Sequence, residues 1–197
     1  MFGADTFHTA MAEIVVGTMV LATVCAVGCA SIRYIPVPAD KRESLMVTMD
    51  KASMAGASMA LLFMPIAIMS GNFAAENTVG NDLLYNKFVY SGLALGFWAA
   101  FVVGRVRMGP GLWEVRPLGI LQSSTAVMAF LMTTMASSIG GKLVRGESLF
   151  DVLPIWLPSD SAVVLPIWAS AALLVVGMAA LFVVFRMAPR TERIQLE

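Results

Sequence analysis

The chain has 197 residues and no net charge; 58% of it is hydrophobic and only 13% charged, where a soluble domain carries about 25% charged residues. The charges cluster and leave long apolar blocks, and a bilayer core of about 30 Å is crossed by a helix of about 20 such residues. These features exclude a soluble core of ordinary size and a basic nucleic-acid surface, and they predict an all-α, polytopic integral membrane bundle, one domain over residues 1–197, in the cell membrane.

Five transmembrane helices are expected. The first runs from Ala12 to Tyr34. It is preceded by Asp5 and by no Lys or Arg; a secretory leader needs a basic start, so a retained first helix is expected. Thr18, Ala22, Cys25 and Cys29 lie on one small face of it. Cys25 and Cys29 are four apart, a spacing a soft metal can bridge. The chain has no further cysteine, which favours small residues packing on a neighbour. Inside an apolar block, the pair says nothing of redox compartment. His8 is the sole histidine. A helical b-type cytochrome holds heme between two, so His8 alone is either a surface ligand beside Asp5 or Glu13, or a solvated tail residue.

The second span is Ala52–Gly71, with Asp50 and Lys51 at its start, placed to neutralise each other. Ser53, Ala57, Ala60, Ala67 and Gly71 form its small face, and Pro65 is expected to kink it. Met54, Met59, Met64 and Met69 are spaced by five and scatter around the helix. The third span, Phe88–Gly104, carries Gly92, Gly96, Ala100 and Gly104 at spacings of four. Four residues advance about 400°, so these positions form a slowly slanting stripe. In lipid, helices associate through such close packing, and the stripe is expected to seat another helix.

The fourth span, Leu118–Gly140, has a seam of Gln122, Thr125, Ala129, Thr133, Ala136 and Gly140. Met128, Met132 and Met135 lie beside it; thioethers can pass copper(I), or can simply fill gaps. The connection that follows carries Pro154, Pro158 and Pro166, which forbid a long regular helix. It reads equally as an ordered interfacial segment or an irregular loop. The fifth span is Val163–Phe185, with Ala169, Ala172, Ala179 and Ala180 as its small residues.

Arg33, Lys41, Arg42, Lys51, Arg105, Arg107, Arg116, Arg186, Arg190 and Arg193 fall on one side of this arrangement, and only Lys87, Lys142 and Arg145 on the other. Basic connections are cytoplasmic, so the N-terminus is expected outside and the C-terminus inside. Tyr85, Tyr90, Trp156 and Trp168 suit the outer interface, and Tyr34 and Trp113 the inner one. Trp98 fits neither, being near mid-span.

Chemistry is harder to find. An ionisable group at mid-span costs roughly 2.5–3.5 kcal/mol and usually marks function, yet no expected span carries one at its middle. That argues against a pump or proton-driven carrier, as does an odd span count without internal repeat. Gly-rich nucleotide loops, Ser–His–Asp sets and paired catalytic carboxylates are missing. Glu147 and Asp151 can share a helix face or be plain solvated charges. No catalytic residue and no metal set is assigned.

The run SSIGGKLVRGESLFD, Ser137 to Asp151, resembles the exit of the last core helix in an uncharacterised prokaryotic family of small membrane proteins with about four helices and a Gly-Gly-acid-Leu-Val motif. The resemblance implies a similar helix order from His8 to Asp151. Here His8 is followed by Thr9 where the family often has His-Pro, Lys142 replaces the acid, and a fifth span is added. The family's other histidines are missing, so no heme or metal role carries over.

The leading expectation is a non-catalytic accessory subunit of a larger membrane complex, packing through small-residue faces. The alternatives are a redox-chain component contributing to a heme or quinone site, with His8 as a contact, and a small-solute or copper channel. No cofactor is predicted; heme, quinone and copper stay open. The expected partners are the bilayer and other membrane subunits or further copies of the chain, not nucleic acid.

Overall fold

A computed structural model describes residues 3–74, 81–147 and 193–195, together with single helical positions between 168 and 186. The described residues form an all-helical structure without strands, and four of the helices are long and apolar enough to cross a membrane. These are α1 (Ala4–Ser31), α2 (Ala39–Ala74), α3 (Asp82–Met108) and α4 (Arg116–Arg145). Each exceeds its expected span at both ends or, for α1, starts earlier and passes into a 3-10 turn at Ile32–Tyr34. The amphipathic flanks, such as Asp40–Lys51, lack the apolar run that marks a bilayer crossing, but they continue the helix because no glycine or proline interrupts them.

The fifth expected span, 163–185, lies mostly outside the described residues. Within it Trp168, Ala172, Val175, Met178, Ala179 and Phe182 are helical and exposed, and their three- and four-residue spacing places them on one helix face. The connection at 148–167 is also outside the described residues.

Local chemistry sets the ends. The Asn81 side chain accepts from the Leu84 N–H at 3.1 Å and caps α3. Gly109 ends α3 at φ 85°, and Gly146 ends α4 at φ 74°, a left-handed conformation glycine adopts without strain. Gly109 has a second reason to lack a side chain. A Cβ there would lie 2.5 Å from the Ile194 carbonyl oxygen. The Ile194 N–H donates to the Met108 carbonyl and the Gly111 N–H donates to that of Ile194, both at 2.9 Å. The tail is thus fastened to the α3–α4 connection.

The helices alternate in direction, each packs on its chain-order neighbours, and α4 closes back on α1. One end of the bundle holds His8, Ser70, Lys87 and Gly140; the other holds Arg33, Asp50, Arg105 and Trp113. Three of the expected seams are largely inside. Ala22 and Cys29 of α1, Ser53, Ala57 and Ala60 of α2, and Ala129 of α4 are fully buried, whereas Thr18, Cys25 and Thr125 are half-buried. At the α1–α2 crossing a Cβ on Gly56 would meet the Thr18 carbonyl oxygen at 2.6 Å. The backbones touch there, as small residues allow.

α3 differs from its expectation. It buries Leu84, Ser91, Ala94, Trp98 and Phe101, whereas Gly92, Gly96 and Ala100 are exposed. No described atom comes within 4 Å of a Cβ placed on Gly92 or Gly96. The reason is volume. α1, α2 and α4 line the centre with alanines, so the remaining helix must supply bulk to reach interior packing density. Trp98 and Phe101 do so, edge to face with centroids 6.0 Å apart. Of the three glycines in the stripe, Gly104 alone meets another helix, its Cβ position lying 3.0 Å from Gln122 Oε1. The stripe drifts by about 40° per step and by Gly104 has turned about 120° from Gly92.

The outer surface is apolar: Val24, Leu62, Phe73 and Val144 are more than 60% exposed. Such a surface suits hydrocarbon.

Candidate functional site

Two polar regions stand out, one at each end of the bundle. At the Trp113 end the carboxylate of Asp50 is buried and fully engaged. Arg105 binds it with two nitrogens, Nε to Oδ1 at 2.6 Å and Nη2 to Oδ2 at 2.5 Å. Trp113 Nε1 donates to Oδ1 at 2.7 Å. The guanidinium of Arg33 in turn donates to the Trp113 carbonyl. The cluster joins the 3-10 turn Ile32–Tyr34 that follows α1, the first third of α2, the end of α3 and the 3-10 turn Pro110–Trp113 that leads into α4. Bidentate Arg–carboxylate pairing is among the strongest hydrogen-bonded arrangements in proteins.

This corrects the expected Asp50–Lys51 neutralisation. Adjacent helical residues point about 100° apart; Asp50 turns inward, Lys51 is exposed, and Arg105 is the partner. Trp113, expected at an interface, is completely buried. The sequence did hold a signal: Asp50 and Arg105 fall on the same side of the expected topology with opposite charge.

At the His8 end lies a cleft of about 540 Å³ between the first half of α1 and the second half of α4, floored by α2 and α3. Its deep wall is apolar, with Val15, Val16, Met64, Ile68, Ala94 and Ala136. Its polar groups are His8, Thr9, Glu13, Lys87, Ser91, Thr133, Ser137 and Arg145. Below it, Thr133 Oγ1 accepts from Trp98 Nε1 at 3.4 Å and donates to the Ala129 carbonyl at 2.8 Å. The buried indole closes the floor.

His8 is not a solvated tail residue. It belongs to α1, is half-buried, and places Nδ1 3.1 Å from Ser70 Oγ. The Ser70 hydroxyl donates to the Ala67 carbonyl at 3.1 Å, which leaves its oxygen able to accept from Nδ1 in the tautomer that carries the proton there. The ring lies over Gly71, where a Cβ would meet Cε1 at 2.7 Å.

Lys87 is half-buried on α3. Its ammonium lies 3.2 Å from where Gly140 would carry a Cβ, and no described carboxylate pairs with it. Gly141 likewise leaves room for the Arg145 guanidinium, 2.9 Å from its Cβ position. The two glycines of the exit motif therefore admit two cations to the head of the cleft.

The other sequence candidates do not converge. Cys29 is buried and its thiol approaches the Met46 carbonyl at 3.7 Å, while Cys25 is half-buried; both are free thiols. Met132 packs on the core, Met135 is half-buried and Met128 is exposed. Among the described residues no three His, Cys, Asp or Glu side chains gather to hold a metal. Sequence reasoning missed the cleft because its parts, near residues 8, 70, 87 and 140, are joined only by the crossing of four helices.

Compared with known families, with curated proteins and with solved structures, the chain finds no match.

Proposed function

We propose that this protein is a non-catalytic accessory subunit of a larger membrane assembly, crossing the bilayer five times with its N-terminus outside and its C-terminus in the cytoplasm. The observation that carries the reading is the bare face of α3. Gly92, Gly96 and Ala100 are exposed on a helix that buries its bulk elsewhere. A smooth strip of this kind lets a neighbouring helix approach its backbone, which is how helices adhere in lipid. The chain order supports the fifth crossing. α4 ends beside Lys87 at the His8 end, whereas Ile194 is bonded to Met108 and Gly111 at the opposite end. The residues between must cover the length of the bundle, about 45 Å for a helix of 30 residues like α4. Odd crossings agree with the basic connections lying on one side.

Extraction in mild detergent followed by native mass measurement tests the subunit role. The expected result is a mass above that of the single 21.0 kDa chain, lost when Gly92 and Gly96 are both replaced by Leu. A chain that is monomeric under every mild condition overturns it. A second reading, a redox-chain component with heme or quinone, draws on His8 lining the cleft. A Soret band kept by the isolated chain would favour it.

A further inference from the structure

We propose that the cleft between α1 and α4 binds an anionic headgroup carried on an alkyl chain, with the Lys87 ammonium as its principal contact. This is independent of the subunit role, which rests on the opposite property of another face.

Three observations point the same way. First, Lys87 is a half-buried cation without a described carboxylate partner. Burial of a charge is unfavourable unless something pairs with it. At the other end of the same bundle the buried charge is matched in full, so the contrast is internal to the protein. Secondly, space is kept at that ammonium. Gly140 lets the ammonium rest against the α4 backbone, 3.2 Å from where a Cβ would stand, and the adjoining cleft of about 540 Å³ lies within the roughly 300–1,000 Å³ typical of small-molecule sites, far more than a free phosphate fills. Thirdly, the polarity is graded. Lys87 and Arg145 outnumber Glu13 among the charged lining groups, Ser137 supplies a hydroxyl, and Val16, Met64, Ile68 and Ala94 line the depth. Anion at one end and hydrocarbon along the wall are the two halves of an amphiphile.

The route of entry fits. Glu13 and Gly17 on α1, and Ser137 and Val144 on α4, are exposed at the rim. The cleft opens sideways between two helices long and apolar enough to cross a membrane, the side from which a lipid-dissolved molecule arrives. The head can be a phosphate or a carboxylate, since both accept from an ammonium and a guanidinium.

The test uses the full chain in uncharged detergent, with binding read by calorimetry and native mass. The probes are dodecyl phosphate, dodecanoate, dodecanol and inorganic phosphate. Dodecyl phosphate or dodecanoate should bind at least about tenfold more tightly than dodecanol, as expected for one charge-assisted hydrogen bond. The tighter of the two anions assigns the head. Lys87→Met should weaken it about 10- to 100-fold by the same reckoning, while Lys51→Met, a change of an exposed lysine, leaves it intact. Gly140→Val, whose side chain displaces the ammonium from its seat on α4, should weaken binding to a similar extent and keeps the test decisive if Lys87→Met does not fold. Equal binding of dodecanol overturns the anionic head. Equal binding of inorganic phosphate overturns the alkyl chain. Unchanged affinity in a folded Lys87→Met protein overturns the site.

Discussion

The two ends of this bundle treat charge in opposite ways. At the Trp113 end Asp50 is 2% exposed and receives Arg105 twice and Trp113 once. At the His8 end Lys87 is half-buried beside open space with no described carboxylate against it. A buried charge that is fully paired within the chain is spent on holding helices together. One left unpaired next to a cavity is available to something from outside. The same bundle thus has a clasp at one end and a receptive cleft at the other, and the distinction rests on partners, not on residue type.

The sharpest way to break the comparison is at the clasp. Asp50→Ala leaves a largely buried guanidinium and an indole N–H without acceptor. Removing one partner of a buried ion pair typically costs about 3–5 kcal/mol, so the thermal midpoint in detergent should fall steeply. Replacing Asp50 and Arg105 together by Leu should recover most of the loss, since the cost lies in the orphaned charge. If the single and double variants unfold alike, Asp50 is not a clasp.

Trp113→Phe tests a smaller part of the same region. One donor to the carboxylate is lost, and the smaller phenyl ring leaves part of the fully buried indole site empty. Hydrogen bonds to charged groups contribute about 1.5–3 kcal/mol, so a drop of at least that size is expected in a denaturation series. A loss near zero would mean that Arg105 satisfies Asp50 alone.

Much of the architecture was legible in the sequence. Apolar run length predicted five spans, four of which coincide with described helices long and apolar enough to cross a membrane, and the spacing of Ala22, Ala57, Ala60, Ala129 and Thr133 pointed to the buried faces of three of them. What the spacing of small residues did not give was the packed face of α3. Gly92, Gly96 and Ala100 make a regular pattern, but a helix packed on two alanine-lined neighbours, α2 and α4, is oriented by its bulk, and Trp98 and Phe101 decide. A mid-span tryptophan that suits no interface was the available sign. The site was less legible than the fold. His8 looked like a tail residue because its support, Ser70 and Gly71, stands some sixty positions away. The exit motif is plain as a pattern of residues; the room it leaves for Lys87 and Arg145 shows only in three dimensions.

Lys87→Met sharpens the comparison by its sign. If the ammonium has no partner within the chain, removing it relieves a desolvation cost and breaks no pair. The ligand-free protein should hold its stability or gain up to about 1 kcal/mol, in the range of ordinary stabilising substitutions. Chemical denaturation of the purified variant reads this directly. A loss of the size expected for Asp50→Ala would make the two ends alike and would remove the ground for a receptive cleft.

The smallest effect is expected on the bare side of α3, and there the size depends on what surrounds the chain. Gly92→Ala and Gly96→Ala add a methyl where no described atom lies within 4 Å. In the isolated chain each should change stability by no more than about 0.5 kcal/mol, as surface substitutions do. Any change should be upward, because alanine is the better helix former. In an assembly that seats a helix on this strip, the same methyls push two backbones apart, and overpacking costs about 1–3 kcal/mol. The pair of measurements therefore separates the faces: a silent change in the purified chain together with weakened association in mild detergent places the neighbour at Gly92 and Gly96. Unaltered association in both variants leaves the strip facing lipid and moves the subunit contact to another helix.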